Sequence, residues 1–131
     1  MENKTAQLYY HIGILFYAIA MADKKVHEEE YNKLKILLRQ KWLQYPDIDE
    51  KTNKDNALEI YNAFTKMLEQ GTDSEECFNR YRTYFLKNKP KFTDELKALI
   101  WETGQSIATI FAKKNKSELV ILAKLRILFQ D

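Results

Sequence analysis

Four side chains able to hold a cation or meet a charged partner fall within eight residues: Asp23, His27, Glu29 and Glu30. Carboxylate oxygens grouped in a turn suit a hard divalent cation. A zinc site of the usual kind calls for more His or Cys. The segment is not an EF-hand, since it lacks the alternating acids, the mid-loop Gly and the length of that motif. Lys24 and Lys25 stand inside the cluster and oppose a cation. The same residues also have an ordinary structural reading. Asp23 can accept amide hydrogen bonds in a turn, His27 can stand at or near an N-cap, and Glu30 can close a capping box. Both readings stay open at this point, and no cofactor is expected beyond such a cation.

A second constellation runs from Arg80 to Lys91, with five basic residues, three aromatics and no acid. Basic groups interleaved with aromatics can track a single-stranded nucleic acid. At helical spacing, however, Tyr81, Tyr84 and Phe85 share one face and turn towards a core, which leaves Arg80, Arg82, Lys87, Lys89 and Lys91 outside. That face is expected to be solvated or to make weak anion, protein or acidic-lipid contacts. Nucleic acid is not the expected partner. The near-even balance of 21 basic and 19 acidic residues likewise gives no bulk attraction to a polyanion.

The inventory for catalysis is thin. There is no Gly-rich phosphate loop and no nucleophile elbow, and Ser74, Ser106 and Ser117 have no His near them in sequence. With two His and one Cys, the usual acid–base groups are scarce, so the chain is expected not to be an enzyme. Cys77 lies beside Phe78 in a helical pattern and reads as a small buried apolar residue. A single free Cys suits a reducing compartment. The apolar run from 8 to 22 imitates a secretory leader, but its Tyr content and the acid in the preceding residues argue against one. The run is also too short for a membrane span. A cytoplasmic location is the expectation.

The elements that must position these groups are all helical. Three Gly, two Pro and no β-branched alternation over 131 residues predict one all-α domain, a bundle of six to seven helices. Helix one should run from about Thr5 to Ala22. It is apolar nearly all round and so belongs at the centre, with His11 a partly exposed or hydrogen-bonded exception near its start. Helix two follows His27, its first-turn acids favoured by the helix dipole. Residues 45–53 read as a loop and helix three as about Lys54 to Gln70, with Leu58, Tyr61, Phe64 and Leu68 inward and a stop at Gly71. Asp73 to Glu76 reads as the capped start of helix four, which places Cys77, Tyr81, Tyr84, Phe85 and Asn88 on one stripe and ends near Pro90. Thr93 opens helix five, where Gly104 predicts close packing. Ser117 should cap a last helix bearing Leu119, Leu122, Leu125 and Leu128 inward.

Ala20, Ala22, Asp23, Val26 and Glu30 together form a turn and acidic helix start that resembles the signature of the TerB-like (tellurite-resistance) family. Lys24 stands where that family usually has Gly. The resemblance extends in pattern over most of the chain and implies a fold of two related helical halves. An internal echo agrees: Tyr17 to Ala22 aligns with Ile107 to Ala112, and Glu30, Leu34 and Leu37 with Glu118, Leu122 and Leu125. The family has been linked to metal binding and to sensor or scaffold roles, alone or joined to other modules such as J-domains. The resemblance therefore implies a stress-associated interaction module with an unknown protein partner. Asp23, His27, Glu29 and Glu30 would be its contact or cation-binding residues.

Overall fold

Helix α1, Lys4–Ala20, is the axle of the molecule. The computed structural model of the chain describes residues 4–22, 28–43, 50–112 and 116–130, with side chains at 6–22, 29–43, 54–111 and 119–130. Around α1 stand α3 (Glu50–Gln70), α4 (Ser74–Lys87), α5 (Asp94–Ala112) and α6 (Lys116–Phe129), while α2 (Glu28–Trp42) lies on α3 and α5. A 3₁₀ turn, Lys89–Lys91, joins α4 to α5. There is no strand among the described residues. The all-α bundle expected from the sequence is the fold.

The central place of α1 follows from its composition. Every residue from Ile12 to Ala20 is buried, so no face of this stretch is left for water. Gly13 lets α3 approach closely: a Cβ there would lie 2.4 Å from the Ile60 carbonyl oxygen and 2.6 Å from Ala63 Cβ. Gly104 of α5 serves the same purpose more loosely, its virtual Cβ 3.1 Å from Ile19 Cδ1. Sequence spacing predicted the second approach and not the first.

The end of α1 is tied to the turn between α3 and α4. The Ser74 hydroxyl donates to the Ala18 carbonyl at 2.6 Å, and the Tyr17 hydroxyl to the Thr72 carbonyl at 2.7 Å. Carbonyls in the last turn of a helix have no partner within it, and Ser74 supplies one to Ala18. The turn is set by Gly71 at φ +62°, where the Thr72 amide reaches the Met67 carbonyl and the Gly71 amide that of Leu68, a Schellman ending. Asp73 then caps α4, its Oδ2 accepting from the Glu76 amide at 3.2 Å. Glu76 does not turn back to complete a capping box; it pairs with Arg80 at 2.9 Å.

Four expectations about helix boundaries and phase need correction. Helix α3 starts at Glu50 instead of Lys54, so Thr52 and Asn53 are helical residues; their cost in a helix is below about 1 kcal/mol each. Leu58 points outward and is 54% exposed, because the buried face is Ala57, Ile60, Ala63, Phe64 and Met67. The close approach at Gly13 makes room for Ile60 and Ala63 there, which leaves the larger Leu58 outward. Leu119 is also exposed, since α6 buries Ile121, Leu122, Leu125 and Leu128 instead. Helix α6 begins at Lys116, which puts Ser117 inside it instead of at its cap.

Candidate interaction surface

Of the residues singled out around the first turn, Asp23 and His27 lie outside the described residues. Glu29 and Glu30 stand in the first turn of α2, Glu29 exposed and Glu30 buried. Neighbours on a helix are about 100° apart, so these two carboxylates do not share a face. Among the described residues no group of three or more His, Cys, Asp or Glu side chains is placed to hold a metal ion.

The basic stretch behaves as its periodicity implies. Tyr81 and Phe85 are fully buried and Tyr84 half-buried, while Arg80, Arg82, Lys87, Lys89 and Lys91 are exposed. The cations do not act together. Arg80 is held by Glu76, and the Lys91 ammonium lies 5.9 Å from the centre of the Tyr84 ring. Arg82 faces α6 and Lys87 faces α1. Cys77 is fully buried, and that burial pushes its thiol up to about 11.

His11 is one of the titratable groups that the packing of α1 on α4 affects. Its ring stacks on Tyr84 with centroids 4.0 Å apart, and Nδ1 lies 2.7 Å from the Gln7 carbonyl. A carbonyl only accepts, so Nδ1 donates, and in the neutral ring Nε2 keeps the lone pair. Burial holds its pKa below the ordinary value; the Gln7 bond opposes this and the Arg80 charge adds to it. The adjoining groove of about 880 Å³ carries Glu75 and Glu76 as well as Arg80 and Lys87. With both signs present it selects no ligand charge.

A different character belongs to the other side of α4. Side chains of α4 and α6 meet in the same order along both helices: Glu75 lines a pocket with Val120 and Lys124, Lys124 lies over Phe78, and Phe85 meets Phe129. Between them lies a groove of about 330 Å³, with Phe78 and Leu128 buried in its floor and Leu86 and Ile127 at its lips. Its charged lining is cationic, Arg82 from α4 and Lys124 from α6, and the Lys124 ammonium sits 5.9 Å from the Phe78 ring centre. Ile127 is 65% exposed and Leu86 39%. Further along α6, Leu119 and Val120 are exposed as well.

Sequence reasoning missed this groove. The available signal was that α6 is apolar at Leu119, Val120, Ile121, Leu122, Leu125, Ile127 and Leu128, more positions than one inward stripe can use.

No family model, curated protein or solved structure matches the chain. Among the described residues, no helix is long and apolar enough to cross a membrane.

Proposed function

We propose that this protein is a non-catalytic interaction module of the TerB-like, stress-associated kind, and that it meets a protein partner through α6 and the adjoining edge of α4. One observation carries the reading. Leu86 and Ile127 stand in water on the one groove, and Leu119 and Val120 are exposed nearer the start of α6, although the chain has apolar residues enough to fill its core. Grouped apolar side chains of this kind mark contact sites more often than scattered ones do. The TerB-like element of the proposal rests on the sequence resemblance from Ala20 to Glu30.

The test is a photo-crosslinking scan in the cells that make the protein, with the reactive group placed in turn at Ile36, Leu58, Leu86, Leu119, Val120 and Ile127. Adducts with one recurring protein at the α4 and α6 positions are expected. Absence of an adduct at every position would reject the module reading.

A further inference from the structure

We infer that the groove between α4 and α6 is a docking site for an acidic amphipathic helix of a partner protein, an inference that rests on the module reading and adds the partner's chemistry. The shape argues for a helix. Two parallel helices that flank a concave apolar floor can receive side chains spaced three and four residues apart, as in other helix-in-groove contacts. Phe78 and Leu128 supply that floor, and the exposed Leu86 and Ile127 would close over the inserted side chains.

Charge decides the sign of the partner. Arg82 and Lys124 face the groove from opposite walls, and no carboxylate lines it. Neither cation has a carboxylate within salt-bridge distance among the described residues. A guest helix with carboxylates beside its apolar stripe would neutralise both at once, whereas a basic guest would be repelled. Asp73 and Glu75 line the adjoining pocket together with Val120 and Lys124, so the guest's carboxylates belong towards the Arg82 end.

The experiment uses the full chain and two fluorescein-labelled helical peptides with the same leucine stripe, one flanked by Glu and one by Lys. Fluorescence anisotropy should show the Glu peptide binding and the Lys peptide at least about tenfold weaker. Arg82→Glu combined with Lys124→Glu should reverse that preference, and Ile127→Ser should weaken both peptides. All three positions are exposed, and an unchanged melting temperature will show that the variants fold. Equal binding of the two peptides, no binding of either, or a preference that survives charge reversal would overturn the inference. So would binding to phosphatidylcholine–phosphatidylglycerol vesicles in place of the peptide, or a concentration-dependent dimer in sedimentation that Ile127→Ser abolishes. If the inference fails while photo-crosslinks form at Ile36 or Leu58, the module reading survives with a different face. If no position forms adducts, that reading falls whatever the peptides do.

Discussion

The indole Nε1 of Trp42 donates to the Thr103 hydroxyl at 3.1 Å inside the core, and that hydroxyl in turn donates to the Leu99 carbonyl at 2.7 Å. Trp42 and Thr103 are 1% and 0% exposed, so this short chain joins α2 to α5 where water cannot substitute. Removing the hydroxyl leaves the indole N–H buried without that acceptor. Thr103→Val, which keeps the shape, should therefore cost about 1–3 kcal/mol, measured by urea unfolding, while Thr103→Ser should cost less because it retains the acceptor. Equal losses in the two variants would show that packing, not the hydrogen bond, matters there.

The two glycines in the helical interfaces separate steric from propensity effects. Gly13→Ala puts a methyl against backbone and should destabilise by about 1–3 kcal/mol or more, because α1 and α3 would have to move apart. Gly104→Ala meets only the flexible tips of Ile19 and Leu122, and the helix propensity gain of about 1 kcal/mol offsets the crowding. Thermal unfolding of both variants should show a large loss at position 13 and a change near zero at position 104.

His11 makes stability depend on pH in a fixed direction. Its folded pKa lies below the unfolded value of about 6.5, so the unfolded chain binds the proton more readily. The contribution is complete above pH 6.5 and is lost as pH falls through the folded pKa. The difference in stability between the native protein and His11→Gln should thus shrink below pH 6.5. A difference that holds constant down to pH 5 would contradict the packing described for His11 and Tyr84.

Cys77 should be silent in the native state. With the thiol buried and pushed up to about 11, iodoacetamide at pH 8 should modify it only as fast as the protein opens. Rapid labelling without denaturant would mean that α4 is not seated as described.

Much of the fold was legible because long helices announce themselves by period. The apolar α1, the stop at Gly71, the Asp73 cap and the stripe through Tyr81 and Phe85 all follow from local chemistry. What failed was phase, where it depended on a partner. In α3 the large Leu58 looked like the inward residue, yet the buried face runs through Ala57, Ile60 and Ala63, with Gly13 on another helix making room at Ile60 and Ala63. In α6 nearly every face is apolar, so no period could say which one α1 and α5 would cover. The candidate groove was illegible for the same reason: Leu86 and Ile127 are 41 positions apart, and only the bundle sets them on facing walls. The turn from Asp23 to His27 lies outside the described residues, and its reading stands as the sequence left it.

Because α1 emerges in synthesis ahead of α3, α4, α5 and α6, it must wait for all of its cover. At about 5–20 residues per second, the chain from Ala20 to the end of α5 takes some seconds to appear. Until α3 emerges the oiliest helix has little to lie against, and its cover is completed only with the later helices. The design thus leaves the most aggregation-prone helix of the bundle bare until the helices that follow it have been made.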